Sequence, residues 1–145
     1  LHVAYGRIVG SGNVRCMFRS KPFGGSWTAE EEVSSAHHES IDLQIDATGT
    51  LQIVVTRASV GTHANFNLGR YTGGPGAWSY EELLDEATDH RNVAILKSTE
   101  FTFGTPLTGM LAVYLDDTND DLEALIESDF VVDIVRSSAA GVGVG

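Results

Sequence analysis

Arg19–Val33, R-S-K-P-F-G-G-S-W-T-A-E-E-E-V, joins a glycine turn, a tryptophan and an acidic stretch, and the same order returns at Arg70–Leu84, R-Y-T-G-G-P-G-A-W-S-Y-E-E-L-L. Working outward, Leu1–Arg7 (L-H-V-A-Y-G-R) reappears fifty positions later as Leu51–Arg57 (L-Q-I-V-V-T-R), with the same length, alternation and closing arginine. The offset has grown to fifty-one at Trp27 and Trp78. Self-similarity at a period of about fifty residues is the mark of a repeat architecture, in which one unit cannot cover its own apolar faces.

Alternation within each copy predicts strands. They fall at Leu1–Arg7, Val14–Arg19 and Thr28–Val33, then at Glu39–Asp46, Leu51–Arg57, Asn65–Arg70 and the stretch after Trp78. Glu39–Asp46 (E-S-I-D-L-Q-I-D) sets Ile41, Leu43 and Ile45 on one face and Asp42, Gln44 and Asp46 on the other. Asp46–Thr50 predicts a tight hairpin, with Gly49 supplying a positive φ. Ser79–Glu86 and Asp117–Ser128 also suit short helices; at Ser79 the repeat argues for strand and propensity for helix. A third series follows at Asn92–Lys97, Met110–Leu115, Leu122–Ser128 and Val131–Arg136, without the glycine turn or tryptophan.

The expected fold is therefore all-β: about three four-stranded antiparallel units over 1–36, 37–88 and 89–138, the first lacking a strand and the third degenerate. Residues 139–145, A-A-G-V-G-V-G, form a Gly/Val tail. Meanders of this size in series are the pattern of a β-propeller.

Composition bounds the function. The 145 residues, 42% of them hydrophobic, suffice for one core. Twenty acids against nine bases give a net charge of −11, which argues against a nucleic-acid partner. No apolar run has the roughly 20 residues of a membrane-spanning helix. Cys16 is alone, so neither an internal disulfide nor a cysteine zinc cluster is expected, and it reads as a small core residue.

The first turn resembles an Asp-box, or BNR repeat, of the sialidase-like β-propellers, S-x-D-x-G-x-T-W. Ser20, Gly24, Ser26 and Trp27 fit its register, and Pro22 stands at the aspartate position. In the copy at Tyr71–Trp78, Tyr71, Gly73 and Pro75 replace the serine, aspartate and glycine, and Trp78 remains. The resemblance implies that these are structural turns and that the tryptophans pack within a blade. Propellers close with about 4–8 blades. The resemblance thus implies a homo-oligomer, further chain segments completing the ring, or an open array capped by other proteins, on an extracellular or virion surface.

Sialidases grip a carboxylate with three arginines and use a tyrosine nucleophile with a glutamate partner. Arg7 and Arg57 are candidate ligand-binding residues on that resemblance; Tyr5, which could stack on a sugar face, and His38 complete the candidate set. The competing reading pairs the arginines with neighbouring acids such as Asp42 or Asp46, and no segment matches the family's tyrosine–glutamate motif. His37 and His38 read as a solvated loop before the Glu39 strand, pointing in opposite directions and so not sharing a metal. His2, His63 and His90 are scattered.

Asp116, Asp117, Asn119 and Asp121, within D-D-T-N-D-D, could ligate calcium as hard oxygens, although the EF-hand glycine and distal glutamate are missing. No other cofactor is expected. Gly73–Gly76 lacks a P-loop lysine, and no catalytic constellation is complete. The expected function is a non-catalytic recognition or assembly module for a glycan or protein partner. The alternative is a fragment or subunit of a sialidase-like glycoside hydrolase.

Overall fold

Each stretch of alternating sequence becomes a strand that pairs with its neighbour along the chain. The computed structural model describes residues 1–46, 48–58, 66–84, 90–97, 110–116, 121–127 and 132–137. Among them the chain is all-β and antiparallel, without an α-helix. The first sheet holds β1 (His2–Val9), β2 (Asn13–Ser20) and β3 (Glu31–Ser34). The middle sheet holds β4 (His37–Ile45), β5 (Leu51–Ala58), β6 (Asn67–Gly74) and β7 (Ala77–Leu84). The third holds β8 (His90–Lys97), β9 (Met110–Asp116), β10 (Asp121–Glu127) and β11 (Val132–Ser137). Within every sheet the strands lie side by side in chain order.

The fifty-residue offset maps β1 onto β5. In the middle sheet β5 is flanked by β4 and β6, whereas β1 is the edge of its sheet.

β5 is the centre of the core. Leu51, Ile53 and Val55 join Cys16 and Phe18 of β2 and Tyr71 of β6 in one cluster, flanked by Ala4, Val33, Ile41, Leu43, Trp78 and Tyr80. Val54, pointing the other way, joins Leu68, Leu84, Val93 and Tyr114. Ile53, Val54 and Val55 are all 0% exposed, so the uninterrupted I-V-V run reports a strand covered on both faces. Each such side chain contributes about 1.5–3 kcal/mol on burial. Between sheets, β1 and β2 lie against β4, and β4 and β5 against β8.

Pairing overrides helix propensity at Ser79–Leu84, which runs on from Ala77 as β7. A register shift between Leu68 and Gly69 inserts one residue on β7. It turns Leu84 to the side opposite Trp78 and Tyr80, so this strand also serves both clusters. Asp121–Glu127, within the other helix candidate, is strand β10.

The two glycine turns differ. Pro75 and Gly76 close a two-residue hairpin, with Gly76 at φ 77° and Gly74 paired to Ala77. Gly73, at φ 128°, lies where a Cβ would run into the Ala77 carbonyl oxygen. In the first copy the turn is held by the Gly25 amide on the Pro22 carbonyl at 3.1 Å, with Gly24 at φ 72°. The chain then stays irregular until Glu31, so β3 starts three residues later than the predicted Thr28. Thr28 is engaged elsewhere: its amide donates to the Ser20 carbonyl at 2.8 Å and its Oγ1 accepts the Ser20 amide at 3.0 Å.

The predicted hairpin at Asp46 forms, with Gly49 at φ 87°. Asp46 Oδ1 accepts Thr48 N, Thr48 Oγ1 and Thr50 N, and Oδ2 accepts Gln52 Nε2. Burial works against the Asp46 charge, but these donors outweigh it and hold the carboxyl below its usual range.

Candidate functional site

The candidate ligand residues separate into two groups on successive sheets. On β1, Tyr5 and Arg7 lie on the same side, away from Ala4, which packs toward the middle sheet. The Tyr5 hydroxyl donates to one oxygen of Glu30, and Arg7 pairs with the other. Beside them Arg15, opposite Arg7 in register, pairs with Glu32 at 2.7 Å. Arg19 donates through Nε to the Thr28 carbonyl at 2.9 Å and lies 5.9 Å from the Trp27 ring centroid. The Arg7 and Arg15 pairs are solvent-exposed and contribute about 0–1 kcal/mol each. The partner of Arg7 is therefore Glu30 rather than Asp42 or Asp46.

Arg57 occupies the equivalent place one sheet further on. Its guanidinium lies 4.1 Å from the Tyr80 ring centroid, a cation–π contact, and it stands opposite His38 in the β4–β5 register. The structure thus brings Arg57 near His38, and Arg7 near Tyr5, without assembling the four into one pocket.

His37 and His38 are not a solvated loop. They open β4 and are 8% and 0% exposed. Together they grip Val14 of the neighbouring sheet: its amide donates to His37 Nδ1 at 3.0 Å, and its carbonyl lies 3.3 Å from His38 Nδ1. A carbonyl only accepts, so His38 Nδ1 carries the proton. Nε2, 3.2 Å from the Tyr71 hydroxyl, is then the acceptor of that O–H. Burial in this interface pushes the imidazole down to about 4.

Unlike Asp46, the tyrosines beside these groups and Cys16 are also held toward their uncharged forms. The hydrogen bond to Glu30 raises Tyr5. Burial raises Tyr71, pushes Tyr80 up to about 12 against the opposing pull of Arg57, and pushes Cys16, fully buried as expected, up to about 12. At Tyr5, Tyr71, Tyr80 and Cys16, therefore, no thiolate or phenolate nucleophile is prepared at neutral pH.

Among the turn residues, Ser20 and Gly24 hold the first loop as described above. Trp78 packs edge-on against Phe18 of the neighbouring sheet, with centroids 5.1 Å apart. Trp27 departs from the packing expectation and is 39% exposed. Of the calcium candidates, Asp116 and Asp121 are backbone partners in the β9–β10 register, the pair nearest the turn. Asp117 and Asn119 lie outside the described residues, as do His63 and the 139–145 tail. Among the described residues no group of three or more His, Cys, Asp or Glu side chains is arranged to hold a metal.

Sequence reasoning missed Glu31. From β3 its Oε1 accepts both the Gly76 amide, at 2.6 Å, and Trp78 Nε1, at 2.9 Å, clasping the β6–β7 turn to the first sheet. The partners lie 45 and 47 residues away, and only the three-glutamate run marks the place. Glu31→Ala, which removes the acceptor, is expected to destabilise by about 1.5–3 kcal/mol, the range for hydrogen bonds to a charged acceptor. A urea midpoint unchanged from wild type would remove the clasp as a stabilising contact.

No protein-family model matches the chain, and no match was found among characterised proteins or solved structures.

Proposed function

We propose that the chain is a non-catalytic recognition or assembly module, a series of propeller-like blades presented to a glycan or protein partner. One observation carries the reading. Successive antiparallel meanders stack face to face, so that β5 is covered on one side by β2 and on the other by β8 and β9 residues. Two features support the absence of catalysis. Arg7 and Arg57 are engaged on separate sheets, and Tyr5, Tyr71, Tyr80 and Cys16 are held protonated.

A second reading, a fragment or subunit of a sialidase-like glycoside hydrolase, draws on the contact among Tyr5, Glu30 and Arg7, because that family pairs a tyrosine with a glutamate. The hydrogen bond to Glu30 raises Tyr5, which opposes a phenolate.

Incubation with fluorogenic sialosides and other aryl glycosides separates the readings. The expected result is no release of fluorophore above buffer. Turnover that disappears in Tyr5→Phe, with the fold retained by circular dichroism, would replace the first reading with the second.

A further inference from the structure

We infer that the outer edge of β1 is a strand-docking site, and that its occupant is an antiparallel, acidic segment with apolar residues at every second position, of the same kind as β4. The repeat specifies the seat. Leu1 and Lys21 exchange both main-chain bonds, at 2.9 and 2.8 Å. In the β1–β2 register, Val3, Tyr5, Arg7 and Val9 therefore bond β2, while the N–H and C=O groups of His2, Ala4, Gly6 and Ile8 face away from the sheet.

Fifty residues later the same parity is used for pairing. The Asp46 amide donates to Thr50 at 3.0 Å, so Gln52 and Val54, the counterparts of His2 and Ala4, turn their main-chain groups toward β4. There Ile41, Leu43 and Ile45 stand opposite Val55, Ile53 and Leu51. Leu51 and Ile53 are 7% and 0% exposed; their counterparts Leu1 and Val3 are 75% and 36% exposed. Ile8, also 75% exposed, extends the uncovered strand.

Apart from the single charge of Arg7, β1 lacks the devices that protect sheet edges. It runs eight residues in unbroken register, without proline or lysine. By contrast β3 has four residues and begins with two glutamates, and β7 carries Glu81 and Glu82 beside a bulge. The repeat gives the occupant's side chains as well: β4, in the equivalent seat, alternates Ile41, Leu43 and Ile45 with Asp42 and Gln44 and carries Glu39. Main-chain pairing supplies affinity, and the alternating side chains supply register.

The proposal rests on the blade-series reading but not on the absence of catalysis, so glycoside turnover would leave its test unaffected. The probe is a synthetic octapeptide with the sequence of Glu39–Asp46, added to the intact chain and followed by amide hydrogen exchange. The expected result is slowed exchange at His2, Ala4, Gly6 and Ile8, with β3 and β7 unchanged. N-methylation of the peptide at the Asp42 and Gln44 positions, which face β1 in the antiparallel pairing, weakens binding by about tenfold or more, equivalent to about 1.4 kcal/mol. N-methylation at the Leu43 position does not. Ala4→Pro, which removes an outward N–H and leaves the β2 ladder intact, gives the same loss. The inference is overturned by unchanged exchange at millimolar peptide, by equal losses from both methylation patterns, or by protection at β3 or β7. Protection of the β1 amides by self-association before peptide is added would overturn it too.

Discussion

Phe18→Ala is expected to destabilise the protein by about 3–5 kcal/mol, the range for removing a buried aromatic ring. Phe18 is 1% exposed and belongs to the cluster that joins the first and middle sheets. Its ring stacks on His2 with centroids 5.8 Å apart and meets the edge of Trp78. Neither neighbour can refill the space: His2 sits on an exposed edge strand, and Trp78 is held by Glu31. The loss therefore combines transferred apolar area with a cavity that relaxes only in part. Denaturant unfolding followed by tryptophan fluorescence measures it. A loss under about 1 kcal/mol would mean that the two sheets do not share this core in solution.

Acidification tests the same interface through His38. The folded imidazole is held near 4 and its ordinary value is 6.5, so between these limits the unfolded chain binds more protons than the folded one. Stability therefore falls as pH drops through that window, by on the order of 3 kcal/mol, and this contribution levels off below about 4. Asp46 has the opposite character. Its folded value lies below the ordinary 3.8, so its contribution is present above that pH and is lost only in stronger acid. His38→Gln should be less stable at pH 7, because the interface contacts change, and should lose most of the slope between pH 6.5 and 4.5. Urea midpoints at pH 7, 5.5 and 4.5 provide the comparison. A flat wild-type profile, or an equal slope in the variant, would rule out His38 as its origin.

The strands were legible because alternation is a local property and the fifty-residue repeat gave β1, β2 and β3 second copies in β5, β6 and β7. The Asp46–Thr50 hairpin was legible for the same reason: its donors and acceptors lie within six residues of one another. At Ser79–Leu84 the repeat outweighed helix propensity, and pairing with β6 explains why. Neither alternation nor the repeat could reveal which side chains meet across sheets. His37 and His38 carry polar rings beside Glu39 and read as loop, yet their buried surroundings come from Val14, Phe66 and Tyr71. Tyr5 finds Glu30 across 25 residues and Trp78 finds Glu31 across 47. Trp27 and Trp78 are equivalent in the repeat but not in environment, because Thr28 ties the first loop back to Ser20 before β3 begins.

The I-V-V run of β5 has a consequence for the order in which the molecule opens. Val54 answers to the third sheet while Ile53 and Val55 answer to the first, so detaching either outer sheet strips only one side of this strand. Stability in such a stack is a sum over nearest neighbours, as in a one-dimensional chain of coupled spins. Fraying then advances from both ends, and the amides of β5 remain shielded until the last cooperative unit dissolves.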